Sequence, residues 1–172
     1  MNRVLVVYCS RTGHTEAVAR QIAAQCGADI EAIEDVATDR SGLVGYVRCA
    51  LEALLGVQAP IRRARCAPKN YDLVIVGTPV WFWNMSSPVR TYLNRHGAEM
   101  RQVAFFCTLG GSGQGKVFDD MSRLCDKPAV AHLSLTQQQV DARQTLLQVT
   151  CFARELRPAR RGAPVSDPAL VS

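Results

Sequence analysis

The chain has 172 residues, 48% of them hydrophobic, with a formal net charge of +5 and a pI of about 9.0. That length suits one ordinary domain around a single filled core. The longest apolar stretches, such as Val4 to Cys9 and Leu73 to Gly77, are too short to cross a bilayer, and no charged-then-apolar leader precedes them. Membrane insertion is therefore excluded, and a soluble cytoplasmic protein is expected. The positive charge falls in short clusters, Arg62, Arg63 and Arg65 and the stretch from Arg154 to Arg161, without interleaved aromatics. A solvated basic face, not a nucleic-acid surface, is the expectation.

Short apolar runs alternate with helical periodicity, the pattern of βα units and a parallel sheet. Five strands are predicted: Arg3 to Cys9, Asp29 to Ile33, Asp72 to Thr78, Gln102 to Cys107 and Ala129 to Leu133. The first, third and fourth are continuously apolar, as befits central strands covered on both faces. A first helix follows Thr12, with Val18, Ile22 and Cys26 one turn apart and Gly27 placed to end it. A second starts at Ser41, carries Leu43, Val47, Ala50, Leu51 and Leu54 on one face, and closes at Gly56.

The stretch from Ser41 to Arg65 is longer than one helix requires. It supplies either a partner or subunit contact, as in a homodimer, or a plain helix and loop. A third helix opens at Ser87-Pro88 and stops at Gly97, a fourth runs from Lys116 to Cys125, and the last spans Gln138 to Leu156. From Arg157 onward the sequence is rich in chain breakers and poor in anything to bury. The expected organisation is one domain over residues 1–156 and a flexible tail over 157–172.

Seven cysteines, at 9, 26, 49, 66, 107, 125 and 151, form no C-x-x-C pair and have no histidine at metal-ligand spacing. They read as reduced thiols, with Cys9, Cys107 and Cys151 inside apolar runs as small buried hydrophobes. No metal site and no catalytic cysteine is expected.

In an open parallel sheet the ligand sits beyond the carboxyl ends of the strands, so the strand-to-helix loops decide function. Three have unusual composition, and all three leave central strands. The first, Cys9 to Thr15, packs Ser10, Thr12 and Thr15 around Gly13 where a helix begins, so hydroxyls, backbone N–H groups and the helix dipole converge on one anion. A phosphate fits. Arg11 and His14 either lean on it or are solvated. The second, Thr78 to Asn84, sets Trp81, Phe82 and Trp83 in a row, which suggests a flat ligand stacked against some but not all of them. The third, Thr108 to Lys116, has four glycines that let backbone approach a ligand closely.

Gly110, Gly115 and Lys116 also match the triphosphate-binding pattern G-x-x-x-x-G-K. Val117 stands where that pattern needs a magnesium-binding hydroxyl, so a nucleotide triphosphatase remains only a remote alternative.

Together the loops resemble the flavodoxin-like family. Ser10-Arg11-Thr12-Gly13-His14-Thr15 is similar to its phosphate loop, and Val76 to Trp81 and Thr108 to Gly111 resemble its second and third flavin-contacting loops. The resemblance implies an α/β doubly wound five-stranded parallel sheet of order 2-1-3-4-5 with helices on both faces, binding FMN non-covalently. By that resemblance Ser10, Arg11, Thr12, Gly13, His14 and Thr15 hold the phosphate. Pro79, Val80, Trp81, Phe82 and Trp83 hold the ring from one side, and Thr108, Leu109, Gly110, Gly111 and Gly113 from the other.

Electron-carrier flavodoxins are typically acidic and often carry an aromatic in the third loop. This chain is basic and has none there. It thus resembles the flavin-dependent quinone and nicotinamide oxidoreductases of the same fold, with NAD(P)H as donor and a quinone-like acceptor. The alternative is a one-electron carrier serving a redox partner protein.

Overall fold

The structure, a computed structural model, describes residues 3–36 and 59–156. The expected second helix and most of the Ser41 to Arg65 stretch, like the tail, lie outside the described residues. Strand β1 (Val4–Tyr8) is followed by helix α1 (His14–Cys26) and strand β2 (Asp29–Ala32). Strand β3 (Leu73–Trp81) turns back into the two-residue strand β4 (Asn84–Met85), and helix α2 (Ser87–His96) follows. Then come β5 (Val103–Leu109), α3 (Gln114–Cys125), β6 (His132–Thr136), the short α4 (Gln137–Asp141) and α5 (Leu146–Glu155).

The five long strands pair in parallel in the order β2-β1-β3-β5-β6, which is the expected 2-1-3-4-5 once β4 is set aside. Val6 lies opposite both Ile30 and Ile75, and Ile75 opposite Ala104, so the register carries apolar residues across the central strands. Odd and even residues of these strands build separate cores. Leu5, Val7, Val74, Val76 and Phe105 pack with Val89, Leu93, Val117 and Met121 of α2 and α3 on one face. On the other, Val6, Ile75, Ala104 and Phe106 pack with Val18 and Ile22 of α1 and Val149 and Phe152 of α5. Both faces being covered is the reason these strands read as unbroken apolar runs. Gly77 lies under the Phe106 ring, where a Cβ would stand 2.0 Å from a ring carbon.

Three expectations change. β3 was expected to end at Thr78 and instead continues to Trp81, because Val80 and Trp81 pair with Met85 and Asn84 in an antiparallel hairpin. The last strand lies three residues later than expected, at His132–Thr136, where Leu133 and Leu135 alternate inward on a half-covered edge. The single long final helix is two. Thr136 opens α4 with a capping box to Gln139, and Arg143 with φ 54 breaks the helical path before α5. No helix among the described residues is long and apolar enough to cross a membrane.

Candidate functional site

The carboxyl ends of β1, β3 and β5 bring the three expected loops to one edge of the sheet. They enclose a cavity of about 430 Å³, within the size range of small-molecule sites.

On the first side, α1 begins at Gly13, whose φ of 90 is left-handed and to which no side chain supplies a cap. Neither Ser10 nor Thr12 caps the helix: the Ser10 hydroxyl accepts the Gly13 N–H at 3.2 Å, tightening the turn itself. The first-turn amides of α1 are thus left to an outside acceptor, the arrangement that binds anions. Thr12 and Arg11 line the cavity. Thr15 lies behind them, buried, its hydroxyl 2.7 Å from that of Thr108 on β5, so one hydrogen bond ties the first loop to the third. His14 takes a different course. Its Nδ1 is 2.7 Å from the Thr12 hydroxyl and its Nε2 2.9 Å from Asp141 Oδ1 at the end of α4.

On the second side, Pro79, Val80, Trp81 and Phe82 form a wall. Phe82 and Trp83 occupy the hairpin tip with φ of 47 and 58, left-handed angles that asparagine or glycine usually supplies in such turns. Asn84 holds the tip by donating to the Phe82 carbonyl at 2.7 Å. The three consecutive aromatics thereby divide. Trp81 and Phe82 line the cavity, while Trp83 turns to the third loop and donates its indole N–H to Ser112 at 3.2 Å.

On the third side, Thr108 and Gly110 reach the cavity. Gly110 and Gly111 open onto space that a Cβ would not fill. Gly113 is there for a neighbour instead: its φ is 108, and a Cβ would stand 2.7 Å from Trp83 Cδ1 and 3.0 Å from its Cα. Leu109 sends its side chain into the core and offers the site only backbone. Adjacent Cys107 is also buried, and burial pushes its thiol up to about 12, so it takes no part as a nucleophile at neutral pH.

Sequence reasoning missed Gln137, which closes the cavity from the start of α4. The T-x-x-Q run from Thr136 to Gln139 was the available signal, since it marks a helix start directly after a strand. The glycine-lysine resemblance at Gly110 to Lys116 dissolves in three dimensions. Lys116 Nζ donates to Asn84 Oδ1 at 2.7 Å and pairs with Asp120 at 2.8 Å, bracing the hairpin rather than facing a phosphate cradle. Cys151, expected inside, is exposed on α5. No cluster of potential metal ligands occurs among the described residues.

Fold and cavity together define a doubly wound α/β protein whose candidate ligand site lies at the strand carboxyl ends, lined by the loop before α1 and by the aromatic hairpin. The chain belongs to the flavodoxin family, whose sequence profile matches residues 3–144. Among its relatives is an NAD(P)H dehydrogenase (quinone) of Chromohalobacter salexigens, 29% identical over 119 residues that cover 65% of this chain and 56% of that protein. Another of the same name, from Cupriavidus metallidurans, is 33% identical over 112 residues, covering 65% and 55%. The chain spans about half the length of the curated relatives it matches. A solved flavoprotein of Lactobacillus acidophilus in complex with FMN superposes with a TM-score of 0.69 at 20% identity, covering 83% of this chain and 98% of that one. The two-electron reduced flavodoxin of Megasphaera elsdenii gives 0.53 at 20% identity, covering 88% and 99%. At such identities the likeness is one of fold.

Proposed function

We propose that this protein binds FMN without a covalent bond and passes reducing equivalents from NAD(P)H to a quinone-like acceptor. The observation that carries the proposal is the composition of the cavity walls. One side offers uncapped helix amides together with Thr12 and Arg11, a fit for a phosphate. The opposite side offers Trp81 and Phe82, a fit for a flat ring. Two relatives are named for the reaction, NAD(P)H dehydrogenase (quinone), and a structural neighbour for its complex with FMN.

A bound flavin would supply the two-electron chemistry by which NAD(P)H, a proton and a quinone become NAD(P)⁺ and a quinol. The chain's own residues bind and orient. Ser10 to Thr15 would anchor the phosphate, with Ser10 and Gly13 shaping the turn and Thr15 pinning it to Thr108. Pro79 to Phe82 would hold one side of the ring, while Gly110 and Gly111 leave space at the other for a second flat molecule. No side chain needs to act as a base. The proposal places the protein in the cytoplasm, where thiols such as Cys107, Cys125 and Cys151 stay reduced.

A second reading, a one-electron carrier for a partner protein, is favoured by a single feature. Phe82 and Trp83 are 54% and 59% exposed at the rim of the cavity, an apolar tip that a partner could cover. Purified protein loaded with FMN is expected to oxidise NADH or NADPH in the presence of a benzoquinone. Flavin retention without turnover by either nucleotide removes the enzyme reading and leaves the carrier. Failure to retain flavin removes both.

A further inference from the structure

Asp141, His14 and Thr12 form a hydrogen-bonded chain that runs from the surface to the cavity wall, and the loop chemistry described so far does not require it. Its polarity is dictated by donors and acceptors. An ionised Asp141 only accepts, so His14 Nε2 must carry a proton to make the 2.9 Å contact. Neutral His14 then has a bare Nδ1, and the Thr12 hydroxyl must spend its only proton on it at 2.7 Å. In that state Thr12 turns lone pairs toward the cavity, the wrong polarity for an anion. If His14 takes up a second proton, Nδ1 becomes the donor and the Thr12 hydroxyl is free to donate into the cavity.

We infer that His14, locked in one tautomer by Asp141, is a positioning residue that couples proton uptake to recognition of the flavin phosphate through Thr12. The inference rests on the flavin reading above and adds a determinant for phosphorylated over unphosphorylated flavin. Asp141, as an acceptor, excludes the neutral tautomer that would free Thr12. The surrounding charges are few. Glu16 and Arg20 of α1 pair with each other, and Arg11 lies in the loop before Thr12. Arg143 follows the end of α4, and α5 carries its charges, Arg154 and Glu155, in its last turn. Of these groups, Asp141 is the one bonded to the ring.

The sign follows from linkage. A group that binds a proton together with the ligand makes affinity fall as pH rises. The test compares dissociation constants of FMN and riboflavin, which lacks the phosphate, by flavin fluorescence between about pH 5 and pH 8. In the natural protein the preference for FMN over riboflavin is expected to fall about tenfold or more toward pH 8, relative to the same ratio in Asp141→Asn. An asparagine amide can donate to Nε2, which permits the other neutral tautomer, so this variant keeps its preference for FMN at pH 8. His14→Gln removes the imidazole that links Asp141 to Thr12 and is expected to give the same flat difference. The titration of the phosphate is common to the natural protein and His14→Gln, which share the Asp141 charge, and cancels between them. Loss of the Asp141 charge also favours the phosphate dianion over the monoanion, so a flat profile in Asp141→Asn counts in support only when His14→Gln, which keeps that charge, shows it too. A His14→Gln profile parallel to that of the natural protein overturns the coupling while leaving the flavin reading intact. Failure of FMN to bind the natural protein overturns that reading and the coupling with it.

Discussion

The hydroxyl pair Thr15 and Thr108 is the buried link between the first and third loops, and its energetics are open to direct test. Both residues are about 2% exposed and their oxygens are 2.7 Å apart. Thr15→Val preserves shape and leaves no cavity, but strands the Thr108 hydroxyl without its partner. An unsatisfied buried polar group costs about 1–3 kcal/mol. In a chain of this size that lowers Tm by roughly 2–4 °C per kcal/mol. Thr108→Val should cost a similar amount for the reciprocal reason. The double variant replaces both partners by apolar groups of the same shape and should lie near the natural protein, since the hydrogen bond itself adds only about 1 kcal/mol net. The signature is strong non-additivity: a coupling energy of about 1–3 kcal/mol from urea unfolding of the four proteins. Additive single effects, each below about 0.5 kcal/mol, would refute the assignment of this contact as a structural tie.

Further expectations concern Gly113 and the cysteines. Gly113→Ala must place a side chain at φ 108 and against Trp83, so the indole should leave Ser112; this is read as a red-shifted, more solvent-quenched tryptophan emission and a destabilisation of about 1–3 kcal/mol. Among the cysteines, burial pushes Cys107 up to about 12 and Cys125 up to about 11 from an ordinary value of 9.0. Because the unfolded thiols ionise first, the stability they contribute is complete below about pH 9 and is lost as pH rises through these folded values. A thiol reagent at pH 8 should therefore label exposed Cys151 in the native protein and reach Cys107 and Cys125 only on unfolding.

Much of the molecule was legible in one dimension, for reasons that particular residues make plain. Val4 to Tyr8, Leu73 to Gly77 and Val103 to Cys107 read as central strands because both of their faces are covered, which removes polar residues from the run. Gly27 and Ser87-Pro88 marked helix ends through local backbone chemistry. The edge strand β6 was misplaced by three residues because half of its side chains face solvent, and the apolar signal that locates a strand is then halved. The final helix was read as one because the interruption at Arg143 lies in backbone angles that no breaker residue announces.

The order of local chemistry along the chain determined the fold class, the edge of the sheet that matters and the three loops that build it, since each of those depends on neighbours in sequence. Which side chains face the cavity was decided only by tertiary structure. The hairpin that extends β3 rotates Trp83 away from Trp81 and Phe82, and Gly113 receives it. The fate of Lys116 depended on Asn84, thirty-two residues away, and that of His14 on Asp141, one hundred and twenty-seven away. A hydrogen bond between residues so distant leaves no periodicity, composition or spacing to read, because its geometry exists only once the strands between them have paired.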